Sequence, residues 1–190
     1  MKKYLMVSGC ALLCMIAMLS YAFALDITAD MTTKEGKITR NGKLYLKDNK
    51  CRAEKGSTPI YTIVRGDKSL LWQVNGAENT YIEAKLTPAL KPWIEEKISG
   101  EVSRKEIGAE TIDGHPTKKY EVTVKQGNKS DTYYQWFATD IRFPVKIANV
   151  NGKWSVEYKN IKSRSPDNVF NLPAGATLDT MSVPDVLGGH

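Results

Sequence analysis

Few residues in this chain could make or break a covalent bond. There are two histidines, His115 and His190, and three cysteines, Cys10, Cys14 and Cys51. A hydrolytic triad needs a histidine held between a nucleophile and an acid. His115 instead lies in Asp113-Gly114-His115-Pro116, whose composition is that of a hairpin turn. No Cys-x-x-Cys, His-x-x-x-His, calcium loop or glycine-rich phosphate loop is present. Asp131 and Asp140 flank a strand-like run, yet no spacing pairs them as acid and base. The expectation is a protein that is not an enzyme and uses neither metal nor cofactor.

What the chain can do is bind. Trp72, Trp93, Trp136 and Trp154, with Tyr120, Tyr134, Tyr158 and Phe143, fall on apolar faces or in a covering segment. Singly, each is core material. Together, inside a curved sheet with a cover, they could line a hollow for an acyl chain. Each buried CH₂ contributes about 0.8 kcal/mol, so a dozen carbons would supply on the order of 10 kcal/mol before association costs. The expected lining is Trp72, Trp93, Ile94, Trp136, Trp154 and Tyr158.

These side chains must be positioned by strands. The first 24 residues differ from the rest: Lys2 and Lys3 precede an uncharged, mostly apolar run from Leu5 to Phe23 that ends in Ala22-Phe23-Ala24. This is the pattern of a cleaved secretory signal, and an uncleaved anchor is the alternative. Export leaves a single cysteine, Cys51, so no internal disulfide can form. It also lowers the hydrophobic share from 42% to about 37%, thin for a sheet covered on both faces and natural for one with a wet outer face.

From residue 25 the dominant period is two, with turn residues every 8 to 12 positions, the mark of an antiparallel meander or barrel. Ile27, Ala29 and Met31 alternate with polar residues, and Asn41-Gly42, Asp113-Gly114 and Asn151-Gly152 suit tight hairpin turns. Leu70, Trp72 and Val74 share one face; so do Trp154, Val156 and Tyr158. Residues 84–99 break the pattern. Pro88 and Pro92 open short helical turns, Ile94 and Ile98 share a stripe, and Gly100 is a stop. The tail from Ser165, with Pro166, Pro173 and Pro184, reads as loop. The expected fold is mainly β: a curved antiparallel sheet forming an unclosed barrel of about 9–11 strands with a short helical lid. Its divisions are a signal at 1–24, one domain at 25–175 and a tail at 176–190.

The chain carries 27 Lys and Arg against 21 Asp and Glu. The basic residues of the second half read as a solvated face that guards sheet edges, with contact at an anionic membrane surface as the alternative. No arginine cluster suits nucleic acid.

Read in order, Ala29-Asp30-Met31, Gly42-Lys43-Leu44-Tyr45, Arg52-Ala53-Glu54, Arg65-Gly66-Asp67-Lys68, Thr111-Ile112-Asp113-Gly114-His115-Pro116, Trp136-Phe137-Ala138-Thr139-Asp140-Ile141, Phe143-Pro144-Val145-Lys146 and Phe170-Asn171-Leu172-Pro173 form a recognisable series. It resembles bacterial envelope proteins grouped as a domain of unknown function within the superfamily of the outer-membrane lipoprotein carrier LolA and its receptor LolB, over about residues 26–175. The resemblance implies an unclosed barrel, helices plugging its hollow, a lipid or lipoprotein acyl chain as ligand and a periplasmic location. An interaction or sensor module of the same fold, with a filled interior and its exposed face engaging an envelope protein partner, is the alternative. Carriers of this kind begin with a helix, whereas Asp26 to Thr33 reads as strand, and the short lid implies a shallow pocket.

Overall fold

The computed structural model describes residues 25–179; the expected signal at 1–24 and the residues after 179 lie outside them. Twelve strands run in chain order: β1 (Asp26–Glu35), β2 (Ile38–Lys47), β3 (Lys50–Lys55), β4 (Ile60–Arg65), β5 (Leu70–Asn75), β6 (Thr80–Lys85), β7 (Glu101–Ile112), β8 (His115–Gln126), β9 (Lys129–Ala138), β10 (Phe143–Asn149), β11 (Trp154–Ser163) and β12 (Thr177–Leu178). They form one curved, unclosed sheet in the order β12-β6-β5-β4-β3-β2-β1-β11-β10-β9-β8-β7. Two meanders, β1 to β6 and β7 to β11, meet where β1 pairs antiparallel with β11. The free edge β7 is broken by irregular pairing between Glu101 and Ser103 and between Glu106 and Gly108, which blunts it against adding strands.

Alternation sorts the side chains onto two faces. The inner face is apolar from β1 to β5 and from β8 to β11, with Met31, Leu44, Leu46, Cys51, Val64, Leu71, Val122, Phe143, Ile147, Val156 and Tyr158 buried in one cluster. The outer face differs between the halves. Across β8, β9, β10, β11, β1 and β2 runs a polar row of directly opposed residues: Lys119, Trp136, Lys146, Glu157, Thr32 and Asn41. On β4 and β5 it carries a second apolar cluster, Ile63, Trp72 and Val74.

A strap from Ser165 to Asp179 covers that second cluster. Ser165 is buried, its hydroxyl donating to the carbonyls of Ile27 and Leu46 and its N–H to Asp26. A short 3-10 turn at Asp167–Phe170 then crosses β3 and β4, and Leu172 packs on the cluster. The strap ends as β12, which pairs parallel with β6. The segment expected as loop is therefore largely pinned, because its backbone carbonyls at Val169 and Phe170 accept hydrogen bonds from Arg52 and Arg65.

Two local expectations need correction. Asn41-Gly42 is not a turn but the middle of β2; the first hairpin turns at Gly36-Lys37, where Gly36 has φ +59°. Gly42 is needed for a different reason: a Cβ there would stand 1.7 Å from the Glu54 carbonyl oxygen on β3. Gly42→Ala should destabilise the protein by about 1–3 kcal/mol through this overlap, seen as a lower urea midpoint. Asp113-Gly114 and Asn151-Gly152 do form the β7–β8 and β10–β11 turns. The second correction concerns the lid. Its helical part is a single 3-10 turn at Pro88–Leu90, and residues 92–99 are not helical. The carbonyls of Glu95 and Glu96 and the N–H of Ile98, which a helix would use internally, bond instead to Gln135, Arg104 and Glu101.

Candidate functional site: the inner face and its cover

The segment between β6 and β7 lies over the inner face. Leu86, Leu90, Trp93 and Ile94 pack against the inner cluster and Ile98 is buried. Trp93 stands edge-to-face against Tyr133, with centroids 4.8 Å apart, and against Trp154 at 6.1 Å; Tyr133 and Trp154 complete the trio at 6.3 Å. Such pairs contribute about 0.5–1.5 kcal/mol each beyond the area they bury.

At its end nearer β7 the cover is held by polar groups. The Arg104 guanidinium donates to Glu101 at 2.9 and 2.7 Å, to the Gln135 side-chain oxygen at 2.8 Å and to the Glu96 carbonyl. Gln135, fully buried, donates to the Glu95 carbonyl at 3.2 Å. Burial disfavours the Glu101 carboxylate, but the Arg104 guanidinium and the Ile98 N–H outweigh it and hold the carboxyl below its ordinary value. Neither Arg104 nor Gln135 was marked by the sequence; a buried glutamine opposite an arginine two strands away is visible only after strand order is known.

The six residues expected to line a hollow divide between the faces. Trp93, Ile94, Trp154 and Tyr158 are on the inner side, Tyr158 packed at 5.1 Å from the Phe143 ring. Trp72 and Trp136 are on the outer side. Trp72 follows Leu71, which faces inward, and donates from Nε1 to Glu83 at 2.9 Å under the strap. Trp136 follows inward-facing Gln135; its indole donates to Glu110, and the Lys119 and Lys146 ammonium groups lie 4.6 and 5.1 Å from its ring. Alternation within a strand was read correctly, but two apolar faces on β5 made the choice of side ambiguous.

Between the ends of β9, β10 and β11 the inner face opens into a cleft of about 410 Å³, walled by Tyr133 and Trp154 and rimmed by Asp131, Asn149 and Asn151 among others. His115 and Asp140 lie elsewhere, joined Nδ1 to Oδ2 at 2.8 Å between two turns. Among the described residues no three of His, Cys, Asp and Glu are placed to hold a metal ion. Burial pushes the Cys51 thiol up to about 12 and raises the Tyr158 phenol as well. Cys51 should therefore resist iodoacetamide at pH 8 in the folded protein and react once unfolded, as mass spectrometry would show.

An unclosed antiparallel sheet with one apolar face under an irregular cover defines the architecture. The chain belongs to the family described as "Domain of unknown function (DUF4412)", whose model matches residues 27–142. No curated protein matches it in sequence. Among solved structures it is similar to MucB in complex with MucA(peri), at 9% identity and a TM-score of 0.53, covering 78% of this chain and 54% of that one. The chain thus spans about half the length of that protein. The lipoprotein LppX of Mycobacterium tuberculosis (15% identity, TM-score 0.41, 77% and 89% covered) is similar more distantly. So is a LolA superfamily protein from Nitrosomonas europaea (12%, TM-score 0.36, 78% and 90%).

Proposed function

We propose that this is a non-enzymatic binding protein of the cell envelope, exported to the periplasm, that holds the acyl part of a lipid or lipoprotein between the inner face and the 86–100 cover. The observation that carries the reading is the mismatch between the two. The inner face is apolar across most of the sheet, whereas its cover holds a single 3-10 turn, its side-chain ties cluster at residues 95–101, and at its other end the Leu86 N–H donates to the Ser69 carbonyl. The side chains of Leu86, Leu90, Trp93 and Ile94 pack on the inner cluster, a contact that an acyl chain can replace at similar cost per carbon. Trp93, Ile94, Trp154 and Tyr158 are the residues such a chain would meet. Native mass spectrometry before and after organic extraction tests this, together with titration of a fluorescent fatty acid. A lipid-sized mass lost on extraction, and saturable binding, are expected; an unliganded mass with no fatty-acid binding would end the proposal.

A second reading, a module for an envelope protein partner, draws support from the MucB structure, solved with MucA(peri) bound. Recovery of one defined protein by affinity purification, with no lipid in either preparation, would favour it.

A further inference from the structure

The cleft at the end of β9, β10 and β11 has a donor and acceptor pattern of its own. We propose that it is a subsite for a polyhydroxylated group, a sugar or a glyceryl head, either free or as the polar end of an amphiphile. Its wall is aromatic: Tyr133 and Trp154, backed by Trp93 from the cover. Its rim is polar, and the asparagines are already half committed. The Asn149 side-chain oxygen accepts the Trp154 N–H at 2.8 Å, and that of Asn151 accepts the Lys153 N–H at 2.9 Å. Each amide then has its NH₂ left as a donor. Asp131 sits on the inner face opposite buried Val124, is exposed, and forms no ion pair with a described residue, so its carboxylate is an open acceptor. Ser130 contributes a hydroxyl that can serve either way.

Amide donors, a carboxylate acceptor and aromatic faces together match alternating hydroxyls and C–H faces. They do not match a phosphate or carboxylate. The lining holds Asp131 and no lysine, arginine or histidine, so a bare anion would meet repulsion and find no charged partner. The cleft opens from the inner face beside the Trp93 end of the cover. A head group held there would place its chain toward the apolar cluster. For the lipid-linked ligand this inference rests on the acyl-binding reading; for a free saccharide it does not.

The test is tryptophan fluorescence or calorimetry of the full chain with dodecyl maltoside and dodecylphosphocholine, both below their micellar concentrations, and with maltose alone. Dodecyl maltoside should bind at least about tenfold more tightly than dodecylphosphocholine, and Asp131→Asn should erase about tenfold of that preference while leaving dodecylphosphocholine unchanged. Asp131 has no structural partner to lose, so folding is retained. Equal affinity for both amphiphiles, unaltered by Asp131→Asn, would overturn the subsite and leave acyl binding standing. Binding of maltose, weakened by Asp131→Asn, with neither amphiphile bound through its chain, would uphold the subsite and overturn the acyl reading. No binding of any probe would overturn both.

Discussion

Phe170→Ala should lower the stability of this protein by about 3–5 kcal/mol, the range for deleting a buried aromatic side chain. Phe170 is 1% exposed although it lies in the proline-bearing segment that the sequence presents as loop. Its ring lies 5.8 Å below the Lys50 ammonium, and its carbonyl accepts from Arg65. It fixes the strap just before Leu172 reaches the Ile63, Trp72 and Val74 cluster. Lifting the strap therefore exposes more than one residue: Trp72 becomes wet, and the apolar patch on β4 and β5 is uncovered. Urea unfolding followed by circular dichroism measures the loss, and a red shift of Trp72 emission in a variant lacking the other three tryptophans locates it. A chain ending at Ser165 should lose more than Phe170→Ala. Equal midpoints for that truncated chain and the full one would show that the strap contributes nothing.

Arg104→Ala should cost roughly 3 kcal/mol and free the cover, because it removes one partner from a buried charged group and leaves the other in place. The Glu101 side chain is only 7% exposed and Gln135 is fully buried; without Arg104 both lose their charged donor. The guanidinium also stacks 4.6 Å over the Tyr120 ring, a contact alanine cannot replace. Lys97 on the cover is exposed and is followed by Ile98, so trypsin cleavage after it reports the cover's release. Cleavage should be faster in Arg104→Ala and only partly slowed in Arg104→Lys, which restores charge without the fork.

The same tie sets a pH dependence. The folded Glu101 carboxyl is held below its unfolded value, so it binds its proton less readily in the native state. Its contribution is complete above the ordinary glutamate value of about 4.3 and fades as pH falls through the lower folded value. Trypsin is inactive there, so pepsin or hydrogen exchange of residues 86–100 is the measurement. Cover opening should rise on acidification in the native sequence, and Glu101→Gln should be looser at neutral pH and flatter across the acid range. Identical acid profiles for the two would remove Glu101 from the mechanism.

The fold was legible because its strands repeat one local rule. Ile27, Ala29 and Met31 against Asp26, Thr28 and Asp30 declare a half-buried strand without reference to any other part of the chain, and Asp113-Gly114 supplies the backbone freedom of a two-residue turn. Where local signals met a tertiary demand, they misled. Asn41-Gly42 carries a turn signature, but Gly42 answers to the close approach of Glu54 on the next strand. Pro88 does open a 3-10 turn, but Pro92 and the Ile94–Ile98 spacing suggest a second one where the backbone groups of Glu95, Glu96 and Ile98 are taken by Gln135, Arg104 and Glu101. Trp72 was read on the right set with Leu70 and Val74 but on the wrong side, since a strap some 100 residues later dries the outer face there; its Arg65 to Phe170 bond spans 105 positions. Composition alone favoured one wet face, and only half of the sheet keeps one.

The pairing of β1 with β11 also governs when the molecule can exist as a whole. Each meander can zip from its own hairpins, but the central seam joins residues more than a hundred positions apart, such as Asp30 and Asn160 at a separation of 130. Closing so wide a loop costs more chain entropy than zipping a local hairpin. A chain synthesised from its N-terminus has β1 partnered on one flank only until residues 154–163 follow. During that interval its open flank presents unpaired backbone donors and acceptors.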